Sequence, residues 1–199
     1  MKRGFTILGA LIILSLPSFA GEWIENPLTK CAVWNPYPQP DEIIIWTGKC
    51  VNGKASGNGT LQWYVNETKG GRYEGDFLDG KANGWGIRYF TNGNRYEGEY
   101  NDGKFHGKGT HYFADGGVYE GTFLNGKANG YGVRVSSSGE RYEGAWKDNQ
   151  FHGFGIYFFA TGERYEGGWL NDQQHGPGTL FKTDETYIQQ VWELGKRIQ

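Results

Sequence analysis

Methionine occurs once, cysteine twice and proline six times in this chain of 199 residues, and hydrophobic residues make up only 37 % of it. So thin an aliphatic supply excludes a thick core of Leu, Ile and Val. The scarcity of proline, beside 34 glycines and 17 % aromatic residues, excludes a Pro-rich disordered chain and points to many short strands and tight turns. No Ser-His-Asp order, Gly-x-Ser-x-Gly elbow or Walker spacing occurs, and no Cys-x-x-Cys pair marks a redox site. An excess of positive charge is lacking too, which removes nucleic acid from the partners to consider.

The first twenty residues read as a targeting signal. Lys2 and Arg3 are followed by an apolar run from Phe5 to Leu16, and Ser18 and Ala20 place small residues before a cleavage point at Gly21. The apolar run is short for a membrane span, so cleavage after Ala20 is expected rather than retention as an anchor, with the mature chain periplasmic or secreted. Losing Lys2 and Arg3 lowers Lys+Arg from 20 to 18 against 22 Asp+Glu, a mature net charge of −4. An oxidising compartment favours pairing of the only two cysteines, Cys31 and Cys50. That bridge closes a 20-residue loop counting both ends, a constraint worth roughly 3 kcal/mol.

What the chain does have is a repeat. Tyr-Glu-Gly begins at Tyr73, Tyr96, Tyr119, Tyr142 and Tyr165, at intervals of 23 residues. Four positions after each tyrosine stands another aromatic residue, Phe77, Tyr100, Phe123, Trp146 or Trp169, and glycines recur at offsets eleven and thirteen. A diverged unit starts at Trp46, separated from the next by four inserted residues around Asn66 to Lys69, and a half unit starts at Ile188. Diverged terminal units suit a stack that must be capped. The organisation is thus a signal peptide over 1–20, an irregular cap over 21–45 and a repeat domain over 46–199.

Within one unit the pattern is a β-hairpin. Alternation over Arg95 to Tyr100 puts Tyr96, Gly98 and Tyr100 on one face and Arg95, Glu97 and Glu99 on the other. Asn101-Asp102-Gly103 is a turn signal, a second strand is expected over about Lys108 to Phe113, and Ala114-Asp115-Gly116 leads into the next unit. Gly98, Gly107 and Gly109 leave slots in which rings can lie against backbone, and Gly107 and Gly109 also permit positive φ near the turn. No helical or heptad period appears in these units.

The run Tyr96-Glu97-Gly98-Glu99-Tyr100-Asn101-Asp102-Gly103-Lys104-Phe105-His106-Gly107-Lys108-Gly109 resembles the MORN repeat, as do its four companions, from about Ile44 to the C-terminus. The resemblance implies an all-β fold, an elongated single-layer twisted antiparallel sheet of successive hairpins with a groove lined by the repeat aromatics. It also implies a non-catalytic module engaged in protein–protein contacts and, in some members, in contacts with phospholipid membranes. Asn149 and Asp172 depart from the motif by replacing the glycine at offset seven, and looser turns are expected there. Each hairpin advances the sheet by about 9.6 Å, so seven units make a ribbon roughly 60 Å long before twist.

The candidate chemistry reduces to this architecture. His106, His152 and His175 share one offset, but equivalent positions lie ~10 Å apart in adjacent hairpins, too far for one zinc ion. No metal site and no cofactor is expected. Glu74, Glu97, Glu120, Glu143 and Glu166 fall beside Arg72, Arg95, Arg141 and Arg164 as a solvated charge ladder, without the contrast of environments that acid–base catalysis needs. The candidate binding residues are the groove aromatics Tyr73, Phe77, Tyr96, Tyr100, Tyr119, Phe123, Tyr142, Trp146, Tyr165 and Trp169, weighed against a purely structural role. The expected function is an exported scaffold that binds an unidentified protein through this groove or a sheet edge. A peripheral membrane module is the alternative, disfavoured by the acidic balance, and carbohydrate stacking is a third class.

Overall fold

The computed structural model describes residues 21–199; the expected signal peptide lies outside them. The regular elements in chain order are β1 (Glu22–Glu25), β2 (Ala32–Asn35), β3 (Glu42–Trp46), β4 (Lys49–Val51), β5 (Lys54–Val65), β6 (Thr68–Leu78), β7 (Lys81–Tyr89), β8 (Arg95–Asn101) and β9 (Lys104–Tyr112). They continue as β10 (Val118–Leu124), β11 (Lys127–Val135), β12 (Arg141–Lys147), β13 (Gln150–Phe158), β14 (Arg164–Leu170), β15 (Gln173–Phe181), β16 (Tyr187–Glu193) and β17 (Lys196–Arg197). From β5 to β16 each strand pairs antiparallel with the next, giving one long sheet of successive hairpins. At one end β3 and β4 together pair with β5, and at the other β17 closes the last residues of β16.

The second strand of each unit begins earlier than its sequence indicates. In the unit of Tyr96 it starts at Lys104 instead of Lys108, because the turn needs only Asp102 and Gly103, whose φ values of 50° and 79° are both left-handed. Pairing resumes at once with Asn101↔Lys104 and Tyr100↔Phe105, then slips by a bulge before Gly98↔Gly109. Gly107 supplies that bulge with the expected left-handed φ, 56°; a Cβ there meets the Glu99 carboxylate rather than a ring, so of its two expected roles the slot is not the one it fills. The turns at Asn149 and Asp172 are not looser. Both residues keep left-handed φ values, 72° and 66°, which Asn and Asp tolerate best among residues with a side chain. Each adds a bond that glycine lacks: Asn149 Oδ1 accepts the Ala128 N–H at 2.7 Å and Asp172 Oδ1 accepts the Phe151 N–H at 2.8 Å.

Among the described residues no second layer covers the sheet, so the core lies within it. Every repeat tyrosine lays its ring over the offset-thirteen glycine of its partner strand; a Cβ on Gly109 would stand 2.3 Å from Tyr96 Oη. In four of the five the phenol donates to the carbonyl three residues on, at 3.1 Å from Tyr73 to Asp76, 3.0 Å from Tyr96 to Glu99, 3.1 Å from Tyr119 to Thr122 and 2.8 Å from Tyr142 to Ala145; Tyr165 makes no such bond. Trp46 holds the same position in the first unit and its Nε1–H reaches the Lys49 carbonyl at 2.9 Å. Successive hairpin tips are joined as well: Gly103 N–H donates to Ala82 O at 2.9 Å and Gly126 N–H to Phe105 O at 2.9 Å.

Before the repeats, the segment expected to be irregular contains the β1–β2 hairpin, braced by Trp23 against Trp34 with ring centroids 5.4 Å apart. The Trp34 N–H donates to Gly80 O at 2.9 Å, which docks this hairpin on the tip of the unit that begins at Tyr73. Cys31 is fully buried and forms a disulfide with Cys50, Cα to Cα 5.6 Å. Cys50 stands four positions after Trp46, where the other units place an aromatic residue.

Gly109→Ala places a methyl inside the space of the Tyr96 ring, and we expect it to cost about 1–3 kcal/mol. Chemical denaturation would register this as a lower midpoint, whereas Gly103→Ala, which meets no neighbouring atom within 4 Å, carries only the cost of its left-handed φ.

Candidate functional site

The ten candidate aromatics are brought together in one unbroken chain. Each repeat tyrosine meets the offset-four ring of its own unit edge-on and that of the next: Tyr73 with Phe77 at 5.2 Å and Tyr100 at 5.1 Å, Tyr96 with Tyr100 at 5.3 Å and Phe123 at 5.1 Å. The series runs on through Tyr119 and Trp146 at 4.9 Å, Tyr142 and Trp169 at 5.6 Å, to Tyr165 and Trp169 at 5.5 Å. All ten are between 0 % and 8 % exposed. Burial pushes the phenols of Tyr73, Tyr96, Tyr119 and Tyr142 well above their ordinary range, so they remain protonated donors. These side chains form a floor, and little of them is left to touch a ligand directly.

The more open part of the aromatic face is a second row of side chains, at offsets fifteen and seventeen, that sequence reasoning passed over; Trp63, where it begins, is 8 % exposed and belongs with the floor. They stack alternately along the sheet. The Arg88 guanidinium lies 3.7 Å from the Trp63 ring centroid and 5.6 Å from that of Phe90. Phe90 is parallel to His111 at 6.1 Å and 3°, His111 to Phe113 at 4.5 Å and 15°, and the Arg134 guanidinium lies 5.4 Å from Phe113. Further along, Tyr157 meets Phe159 at 4.9 Å. The rings of Phe90, Phe113, Tyr157 and Phe159 are partly buried against the floor. Burial pushes Arg88 down to about 10, which leaves it charged at neutral pH, and burial also lowers His111. The row was hidden because its composition varies: offset fifteen reads Arg88, His111, Arg134, Tyr157, Leu180, and offset seventeen reads Phe90, Phe113, Ser136, Phe159, Lys182.

The opposite face is the charge ladder. Arg72 pairs with Glu74, Arg95 with Glu97 at 3.3 Å, Arg141 with Glu143 and Arg164 with Glu166 at 2.7 Å. Arg95 and Arg164 each lie 4.0 Å from a ring centroid on the next strand, Tyr112 and Phe181. Trp85, Tyr131 and Phe154 are exposed, Phe154 by 65 %. Each stands between the two glycines of its unit, at offset twelve, which simple alternation from the tyrosine assigns to the aromatic face; the bulge shifts that count and carries the ring to the ladder face. Among the described residues no three His, Cys, Asp or Glu side chains converge as metal ligands.

The MORN repeat family model matches residues 48–67, 73–95, 96–118, 119–141, 142–164 and 165–186. No curated protein sequence matches the chain. Among solved structures it is similar to the TCP domain of SAS-4 (dCPAP) of Drosophila melanogaster, in complex with a proline-rich motif of Ana2 (dSTIL), at 11 % identity and a TM-score of 0.45, over 96 % of this chain and 99 % of that one.

The stacked form of His111 is the neutral one, since burial holds its pKa below the ordinary value. Its contribution to stability is therefore complete above the unfolded-state pKa of about 6.5 and is lost as pH falls through the lower folded-state value. His111→Phe keeps a ring in the row and removes the titration. We expect the melting temperatures of wild type and variant to run parallel above about pH 7 and the wild type to fall away faster in acid; equal acid slopes would contradict the assignment.

Proposed function

Because the chain belongs to the MORN-repeat family, we propose that it is a non-catalytic scaffold that binds a segment of another protein in a groove along its aromatic face, after export and removal of residues 1–20. The observation that carries this reading is the row Arg88, Phe90, His111, Phe113 and Arg134. Aromatic and arginine side chains are the types enriched where proteins meet, because they combine large contact area with directional bonding. Here they are held in place by a rigid floor, so a partner need not order them on binding. The ladder face offers a poorer surface of this kind, since its arginines are already paired with carboxylates. The mature charge of −4 also sets this reading above attachment to an anionic membrane.

A photo-crosslinking residue placed at Phe113 in the mature protein, within its native cell envelope, tests the proposal. The expected outcome is a discrete adduct with one protein, absent when the same residue replaces Val133 on the ladder face. Equal labelling from both positions, or none from Phe113, overturns it. Flotation with phosphatidylcholine–phosphatidylglycerol vesicles checks the membrane alternative, for which co-flotation through the aromatic face is the required result.

A further inference from the structure

The row on the aromatic face is interrupted at one place. Ser136 occupies the position that holds Phe90, Phe113 and Phe159 in other units. The backbone there is the same in all four: Phe90 N–H donates to Asn94 O at 3.0 Å, Phe113 to Gly117 at 2.8 Å, Ser136 to Glu140 at 2.8 Å and Phe159 to Glu163 at 2.9 Å. In place of the ring stands a hydroxyl that accepts the Glu140 N–H at 3.0 Å. Arg134, which lies on Phe113, and Tyr157, which packs on Phe159, are the side chains that a ring at 136 would join. Between them lies an open hollow of about 300 Å³ lined by Arg134, Ser136, Glu140, Phe151, Tyr157 and Asp172 among others. A cavity of ~150 Å³ suffices for benzene, so a substituted ring fits.

The lining also specifies the ring's chemistry. On one side Arg134, which forms no salt bridge among the described residues, presents a guanidinium for a cation–π contact. Tyr157 on the other side offers a stacking partner. Two carboxylates complete the wall. Glu140 accepts from Ser138 Oγ at 3.1 Å and Asp172 from Phe151 N at 2.8 Å. A carboxylate has about four acceptor sites, so both retain capacity. A phenol or indole can donate to the sites that remain, beside the Tyr157 phenol that already faces Glu140, whereas a wholly apolar ring leaves them to water.

We propose that this hollow is a receptor site for one donor-bearing aromatic side chain, a Tyr or Trp of a bound protein segment, which completes the row between Arg134 and Tyr157 and donates to Glu140 or Asp172. The inference rests on the reading of the aromatic face as protein-binding and assigns it an anchor point.

The probe is p-cresol, with toluene as the isostere lacking the hydroxyl, followed by ligand-observed NMR on the mature protein. Saturable binding of p-cresol is expected, with toluene several-fold weaker. Ser136→Phe fills the hollow with the residue three other units carry there, so the fold should persist by circular dichroism while p-cresol binding weakens by about tenfold or more. Ser136→Ala leaves the space and removes the bonds of Ser136 Oγ to Glu140 N at 3.0 Å and Ser138 Oγ at 2.7 Å, so it should keep saturable p-cresol binding, tighter than that of Ser136→Phe. Should Ser136→Phe disturb the fold, Tyr157→Leu replaces it and is expected to weaken binding too. No saturable p-cresol binding, or equal affinity in wild type and Ser136→Phe, overturns the site. The crosslink from position 113 separates the two readings: an adduct that persists in Ser136→Phe removes the anchor and leaves the protein-binding face. If p-cresol binds but no adduct forms in any variant, the occupant is a free phenolic compound and the side-chain assignment is overturned.

Discussion

A tyrosine ring lying on a glycine of the neighbouring strand, its hydroxyl bonded to a carbonyl of its own strand, is the contact on which the architecture rests. A sheet with no opposing layer has nowhere to bury apolar area except against itself. The absence of a Cβ on Gly109 and its equivalents leaves room for a ring to lie flat, and in four of the five units the phenol then bonds a carbonyl of its own strand. The offset-four aromatics bridge one tyrosine to the next edge-on, a geometry worth about 0.5–1.5 kcal/mol per pair beyond area burial. Because each ring contacts only its own unit and the adjoining one, stability is propagated from neighbour to neighbour, as in other linear repeats.

This packing divides the aromatic residues into three populations with different availability. The floor is consumed by structure. The second row, at offsets fifteen and seventeen, is half-buried against that floor and still presents ring faces and guanidinium groups outward. Trp85, Tyr131 and Phe154 project from the ladder face between paired glycines, flanked by carboxylates that are mostly neutralised by arginine. Variation in the second row therefore changes the surface without disturbing the support beneath it, and the serine at 136 is one such change.

Much of the fold was legible in the chain, and particular residues show where legibility ended. The Tyr-Glu-Gly interval and the alternation of Tyr96, Gly98 and Tyr100 identified the hairpins and the shared face. Pairing of Cys31 with Cys50 followed from their number and the expected compartment. The start of the second strand did not, because Lys104-Phe105-His106 is too short an alternation to register by itself and the bulge at Gly107 shifts the count after it. Nor did the tightness of the turn at Asn149, where a side-chain bond to Ala128 replaces what glycine supplies elsewhere. The binding surface was less legible than the fold: the conspicuous, periodic aromatics are the ones the fold buries, while the row that remains accessible varies from unit to unit and leaves no period to detect.

The sequence by itself determined the unit, its length, its hairpin and the side on which the tyrosines fall, since these depend on local alternation, turn chemistry and recurrence. Tertiary structure alone decided which rings are floor and which are surface, and where a ring is missing. Those outcomes arise between units: Phe90 meets His111, and Phe113 meets Arg134, only after the hairpins stack in register. The gap at Ser136 exists only because the side chains of two neighbouring strands are held apart on a common rigid floor.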